Sequence, residues 1–200
     1  MPGSKMSSTV EVPKGPYNIV VVGDGGCGKT SMLVTFAKNE YPATYVPTVF
    51  ENHSMQCQTR RGLVSLNLKD TAGQELYGRL RPMFYGDGQV IVIAFDIGSR
   101  RTHQNVLDVW WPEVEHYCTK TTPKVLVGLK KDLRDTVPDC VSEQEGQELA
   151  RKMGKIKYVE CSAKTRDGLD VVFETAITEA MRQDPSVTWE PAGGSCCVIA

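Results

Sequence analysis

The sequence has no large excess of charge of either sign. Its 23 Lys and Arg residues are balanced by 24 Asp and Glu residues, so the formal net charge is −1. Proteins that bind nucleic acid through the phosphate backbone carry a clear basic excess. We therefore expect no nucleic-acid partner.

Long apolar runs are also missing. A membrane-spanning helix needs roughly 18 or more apolar residues in a row, and no stretch of the sequence approaches that length. The start, Met1-Pro2-Gly3-Ser4, lacks the charged-then-apolar pattern of a signal peptide. We expect one ordinary soluble domain, because 200 residues with 40% hydrophobic content are enough to bury a core.

The sequence contains no Cys-x-x-Cys pair and no cluster of histidines, so a structural zinc site is not expected. Its three His residues are isolated from one another, and its seven Cys residues are scattered. An odd number of cysteines without regular spacing predicts reduced cytosolic thiols rather than disulfides.

Strand and helix patterns alternate along the middle of the chain. Apolar or alternating segments predict strands at 17–22, 55–60, 63–69, 89–95, 124–128 and 157–161, with a hairpin turn at Arg61-Gly62. Helices are predicted at 29–39, 102–118, 142–154 and 169–182, and a capping box of Ser142 and Glu145 supports the third. This order predicts an α/β doubly wound sheet with helices on both faces. Residues 1–16 are predicted to be a disordered arm, and 183–200 a tail.

The segment from Gly23 to Thr30 matches the phosphate-loop pattern G-x-x-x-x-G-K-[ST] between a predicted strand and a predicted helix. Glycines let successive backbone N–H groups converge on phosphate oxygens, and the helix N-terminus adds positive potential. Lys29 is expected to reach the β- and γ-phosphates, and the Thr30 hydroxyl to bind Mg²⁺. The alternative is a Gly-rich turn that binds nothing. The motif predicts a nucleoside triphosphate without choosing the base.

Two further segments have the chemistry to sense a γ-phosphate. Asp70, at the end of a predicted strand, can hold Mg²⁺ through water, and the N–H of Gly73 can approach the γ-phosphate. Thr48 can supply a second hydroxyl to Mg²⁺. For the stretch around Thr48 alone, a Pro-stiffened strand is the competing interpretation.

Two loops at the carboxyl edge of the predicted sheet favour guanine. Asp132 can accept hydrogen bonds from N1 and N2 of guanine, and the Ala163 N–H can donate to O6. Adenine offers neither match. Ligands of open α/β sheets bind at this edge.

These segments together resemble the Ras superfamily, and their details resemble its Rho branch. The Rho-like stretches include Tyr-Val-Pro-Thr-Val-Phe from Tyr45, Arg-Leu-Arg-Pro from Arg79, Trp-Pro-Glu-Val from Trp111 and Glu-Cys-Ser-Ala-Lys from Glu160. The resemblance runs from about residue 17 to 182 and implies the P-loop NTPase fold. That fold has a six-stranded, mostly parallel sheet with one antiparallel edge strand and five helices.

The resemblance implies a switch that binds GTP or GDP with Mg²⁺ and hydrolyses GTP slowly, with Gln74 positioning the attacking water. Gly25 matches a glycine that leaves room for Gln74 and for an arginine from an activating protein. Tyr41 matches an aromatic residue that packs on the guanine. The implied nucleotide contacts are Gly25, Gly26, Cys27, Gly28, Lys29, Thr30, Ser31, Tyr41, Tyr45, Pro47, Thr48, Asp70, Gly73, Lys130, Asp132, Ser162, Ala163 and Lys164.

The implied partners are exchange factors, GTPase-activating proteins, a GDP-dissociation inhibitor and effectors, with a role in the actin cytoskeleton. Effectors would bind two switch segments near 40–52 and 73–85. Cys197-Val198-Ile199-Ala200 fits C-a-a-X and predicts prenylation of Cys197, with Cys196 as a palmitoylation candidate. The expected location is the cytoplasmic face of a membrane, such as the plasma membrane, with a cytosolic pool.

The sequence departs from the Rho pattern at four places. Leu129 replaces a polar residue that ties the base to the phosphate loop, and Lys69 replaces an aromatic residue that helps select exchange factors. Only seven residues separate Arg134 from Ser142, too few for the extra Rho helix. The tail also lacks a basic cluster. Two other functions remain open at this point: a nucleotide-bound scaffold without turnover, and an ATP-using P-loop enzyme.

Overall fold

The computed structural model describes residues 15–43, 50–59, 62–73, 79–185 and 187. Within them, six strands form one sheet: β1 (Tyr17–Gly23), β2 (Phe50–Thr59), β3 (Gly62–Thr71), β4 (Val90–Asp96), β5 (Lys124–Leu129) and β6 (Lys157–Glu160). The strand order is β2-β3-β1-β4-β5-β6, and β2 alone pairs antiparallel. The predicted fold class, mostly parallel with one antiparallel edge strand, is confirmed.

The helices lie on both faces of the sheet. They are α1 (Lys29–Lys38), α2 (Pro82–Tyr85), α3 (residues 100–117), α4 (Glu143–Lys152) and α5 (Leu169–Arg182), with a 3₁₀ turn at Lys131–Leu133. Side chains alternate along β1: Ile19 and Val21 pack with α1 and α5, whereas Val20 and Val22 pack with α3 and α4. A central strand covered on both faces reads as a continuous apolar run, as β1 does.

The structure changes two of the predicted elements. β2 begins at Phe50 rather than at 55, so the end of the predicted switch segment at 40–52 belongs to a strand. α3 begins at Arg100 and contains a π-helical turn at Val106–Trp110. The capping box of Ser142 and Glu145 is confirmed, and the described residues between Arg134 and Ser142 form no helix.

The parallel strands bring the predicted site segments to one edge. β1, β3, β4, β5 and β6 run in the same direction, so their carboxyl ends, and the loops that follow them, lie side by side. This edge is where open α/β sheets bind ligands. Separately, none of the helices in the described ranges is both long enough and apolar enough to cross a membrane.

Candidate functional site

The phosphate loop connects β1 to α1 and ends in a helix N-terminus without a side-chain cap. Gly28, the residue before α1, has φ 112°, a conformation that L side chains rarely adopt, and no side chain accepts from the first turn. The first N–H groups of a helix have no partner within the helix. They therefore suit an anion such as a phosphate.

Lys29 is folded over this loop and almost fully buried. Its ammonium donates to the carbonyl oxygens of Gly23 at 2.8 Å and Asp24 at 2.9 Å, and the residue is 5% exposed. Cys27 is also buried, and burial raises the pKa of its thiol. Cys27 thus has the surroundings of a packing residue rather than of a reactive thiolate.

Thr30 and Asp70, the two described members of the predicted Mg²⁺ set, are in contact. The Thr30 hydroxyl donates to Oδ2 of Asp70 at 2.6 Å, although 40 residues separate them in sequence. Asp70 is fully buried near the end of β3. A hydroxyl and a carboxylate are both oxygen ligands of the kind that Mg²⁺ binds, so this pair fits the ion.

The chain after β3 lies directly against the phosphate loop. A Cβ atom on Gly73 would lie 2.4 Å from the carbonyl oxygen of Gly23 and from the backbone nitrogen of Gly25. Only glycine fits at this distance. The backbone of Gly73 therefore packs directly against the phosphate loop.

The two predicted base loops are joined to each other. The Ser162 hydroxyl donates to Oδ1 of Asp132 at 2.6 Å, and the Lys131 N–H donates to the Cys161 carbonyl oxygen at 3.0 Å. Ser162 is fully buried. Asp132 is thus held in place by Ser162, the residue that precedes Ala163 and Lys164 in the neighbouring loop.

The carboxylate of Asp24, inside the phosphate loop, is held by α3. It accepts from the Trp110 indole N–H at 2.6 Å and from the Asn105 side-chain amide at 2.7 Å. Trp110 lies in the π-helical turn and is 3% exposed. Its contact with Asp24 has no local sequence signal, because 86 residues separate the two.

Arg81 connects the same helix to the segment that follows β3. Its guanidinium forms a two-pronged ion pair with Glu113 at 2.8 Å, donates to the Ala72 carbonyl oxygen at 3.0 Å and lies 4.7 Å from the Trp110 ring. Burial acts to raise the pKa of Glu113, but hydrogen bonds from Arg81 and Tyr85 outweigh it and hold that pKa below its ordinary value. A charged, buried pair therefore anchors Ala72, the neighbour of Gly73.

Of the remaining residues that the sequence singles out, some lie within the part of the chain that the structure describes and others lie outside it. Tyr41 is described and is 52% exposed, so its ring is open to a ligand. Lys69 is mostly buried, and its ammonium pairs with Asp87 at 2.6 Å. Other predicted residues lie outside the described residues, namely Tyr45, Pro47, Thr48, Gln74, Cys196 and Cys197.

Comparisons with known proteins give consistent similarities. The family model described as "Ras family" matches residues 18–182. The Rho-related GTP-binding protein RhoD of Homo sapiens is 39% identical over 201 residues, which cover 94% of this chain and 95% of the relative. The GTP-binding protein RHO4 of Saccharomyces cerevisiae is 42% identical over 176 residues, which cover 86% of this chain and 60% of the relative. The family match includes every described site residue from Gly23 to Lys164.

Proposed function

Because this chain belongs to the Ras family of small GTPases and is related to the Rho proteins, we propose that it is a switch that engages effectors when bound to GTP. Members of this family are GTP hydrolases. The observation that carries the proposal is the meeting of the phosphate loop, the Thr30–Asp70 pair and the Asp132–Ser162 pair at one edge of the sheet. Those three parts hold the phosphates, the metal and the base of one nucleotide.

Nucleotide binding follows from the chemistry of these parts. The loop N–H groups of Gly25 to Ser31 and the Lys29 ammonium bind the phosphates, and Asp132 with the Ala163 N–H selects guanine. Thr30 and Thr48 would hold Mg²⁺ directly and Asp70 through water. The ion, when bound, neutralises charge on the β- and γ-phosphate oxygens.

Hydrolysis follows from positioning and charge stabilisation. Gln74 orients water in line with the γ-phosphorus, while Lys29 and the loop N–H groups stabilise the charge that develops. Gly25 leaves space for Gln74 and for an incoming arginine. An arginine supplied by an activating protein adds roughly 10³–10⁵ in rate, a figure taken from relatives of this protein.

The wider proposal concerns partners and place. Exchange factors would load GTP, activating proteins would stimulate hydrolysis, and a GDP-dissociation inhibitor would extract the protein from membranes. Effectors would read the segments 40–52 and 73–85 and act on the actin cytoskeleton. A nucleotide-bound scaffold without turnover is the second candidate, and Leu129 in the base region is the feature that favours it.

Turnover separates the two candidates. Purified protein should release GDP or GTP on denaturation, and GTP loaded with Mg²⁺ should be hydrolysed slowly. Gln74→Leu should bind GTP as the wild type does and leave it largely unhydrolysed. Gln144→Leu, on the exposed face of α4, is the matched control and should hydrolyse at the wild-type rate. No turnover by the wild type, even with an activating protein, would support the scaffold instead.

A further inference from the structure

We infer that Asp96 is a positioning residue for nucleotide binding. By holding Lys130 against the phosphate loop, it supplies the polar link between base loop and phosphate loop that Leu129 does not provide. This inference rests on the proposed guanine-nucleotide site and adds to it a residue outside the predicted set.

Asp96 stands beside Leu129 at the edge of the sheet where the site lies. It is the last residue of β4, and its Cα is paired with that of Leu129 at the end of β5. Its side chain is mostly buried and fixed at both oxygens. Oδ1 accepts from the Gly98 N–H at 2.8 Å, and Oδ2 accepts from the Lys130 ammonium at 2.7 Å. Asp96 is therefore oriented before it meets Lys130.

Lys130 carries this contact on to the phosphate loop. Its ammonium also donates to the Gly26 carbonyl oxygen at 3.2 Å. Its stem runs along the loop, since a Cβ on Gly28 would lie 3.6 Å from Cε of Lys130. The backbone of Lys130 has φ 61°, a left-handed conformation that a non-glycine residue keeps only when its surroundings impose it.

Leu129 contributes packing at this junction. It is 2% exposed and belongs to the apolar cluster of β1, α1 and α5. Its Cδ1 would lie 3.7 Å from a Cβ on Gly28, so it touches the phosphate loop without a polar atom. A hydrogen bond between the two loops must therefore come from another side chain, and the Lys130 ammonium makes one.

Asp96 makes the position of that ammonium definite. The Lys130 side chain is 38% exposed, and a long, hydrated lysine loses rotamer freedom when it is fixed. The adjacent carboxylate of Asp96, only 13% exposed, offsets this loss of rotamer freedom and directs the Lys130 ammonium at Gly26. The contact between Lys130 and Gly26 joins the loop that binds the base to the loop that binds the phosphates. Removing it should therefore speed nucleotide dissociation, but it should not alter the choice of base.

The test is GDP release from the full-length protein loaded with a fluorescent GDP and Mg²⁺. Asp96→Asn keeps the shape and removes the charge, and it should speed release about three- to tenfold, given the partial exposure of the pair. The preference of this variant for GDP over xanthosine diphosphate (XDP) should not change. Asp167→Asn is the matched control, because Asp167 pairs with Lys131 at 2.7 Å and that lysine is also 38% exposed. The control should stay within about twofold of the wild type.

A double-mutant cycle tests whether the Asp96–Lys130 contact takes the place of the polar side chain that is missing at position 129, or only stabilises the site in general. Leu129→Asn restores a polar side chain and should slow GDP release. In that background the effect of Asp96→Asn should fall below about twofold, because the two links are alternatives. Asp96→Glu should recover part of the slow release. Equal effects of Asp96→Asn in both backgrounds would overturn the inference, as would wild-type release from Asp96→Asn.

Two further readouts keep the test decisive. If Asp96→Asn fails to fold, Asp96→Ser retains an acceptor for the Gly98 N–H and removes the same charge, and it should show the same faster release. A wild-type protein that retains GDP while its Asp96 variants release at the same rate would refute only this inference. A wild type that binds no guanine nucleotide would refute the proposed function as well.

Discussion

We predict that base choice depends on the carboxylate of Asp132. One of its oxygens accepts from the Ser162 hydroxyl at 2.6 Å, which fixes the group at the mouth of the base loop. Asp132→Asn replaces one acceptor oxygen with an NH₂ donor, which matches the carbonyl at position 2 of xanthine rather than the amine of guanine. We expect weaker GDP binding and stronger XDP binding in this variant, measured by competition against a fluorescent nucleotide.

The control for this prediction is Asp135→Asn, which changes an exposed carboxylate three residues away. It should leave both affinities unchanged. Binding of ATP by the wild type as tightly as GTP would contradict the assignment of Asp132 to guanine.

The sequence predicts a contact between two residues when each of them belongs to a recognisable motif. Thr30 and Asp70 each belong to a recognisable segment, and the structure places them 2.6 Å apart. The partners of Asp24 and of Lys130 were not predicted. Asn105 and Asp96 stand 81 and 34 residues from the groups they hold, within elements whose local pattern reports only a helix or a strand. Tertiary side-chain contacts of this kind follow from packing, which a local pattern does not encode.

Among the elements, α3 has the clearest effect on the site. Its π-helical turn at Val106–Trp110 directs the Trp110 indole N–H at Asp24, and π turns occur frequently at functional sites. The hydrophobic periodicity of residues 102–118 predicts a helix, but it does not predict that one turn of this helix is a wider π turn. Similarly, the polar residues 51–54 gave no strand signal, yet they belong to β2 because each pairs with a residue of β3.

Trp110→Phe tests the connection between α3 and the phosphate loop. The change keeps an aromatic ring and removes one donor to a buried carboxylate, so the free energy of unfolding should fall by about 1–3 kcal/mol. Urea denaturation of the GDP-bound protein would measure it. Trp111→Phe is the control, since Trp111 is only half-buried and has the Lys124 ammonium 6.0 Å from its ring. Equal losses from both variants would argue against a special role for Trp110.

The ion pair between Arg81 and Glu113 predicts a pH dependence for the contact between α3 and the chain before α2. The folded state lowers the pKa of Glu113, so the stabilisation is present above the unfolded pKa of about 4.3 and is lost as the pH falls through the folded value. Glu113→Gln should cost about 1–3 kcal/mol of unfolding free energy at pH 7, because Arg81 stays buried without its counter-charge.

Denaturation of the wild type and of Glu113→Gln at a series of pH values from 7 to 3 measures this effect. The difference between them should shrink as Glu113 of the wild type becomes protonated in acid. A difference that stays constant over this range would show that the charge of Glu113 contributes nothing and that the variant acts through shape alone.

For the whole molecule, the question is how a chain with a formal net charge of −1 would stay at a membrane. One lipid chain binds a bilayer only marginally, so a second signal is usually needed. An anionic leaflet attracts basic residues, but no Lys or Arg occurs between Arg182 and Ala200, whereas Asp184 and Glu190 do. The second signal that this segment offers is therefore the adjacent Cys196, by palmitoylation.

We therefore predict different outcomes for the two cysteines when variants are expressed in cells and fractionated. Cys197→Ser removes the prenyl site and should make the protein fully cytosolic. Cys196→Ser should leave it farnesylated, because a final Ala typically favours farnesyl, but only loosely bound to membranes. Cys118→Ser, in the folded domain, is the control and should fractionate like the wild type. Firm retention of Cys196→Ser would refute the second lipid, and retention of Cys197→Ser would refute the anchor, because no other prenyl site is proposed.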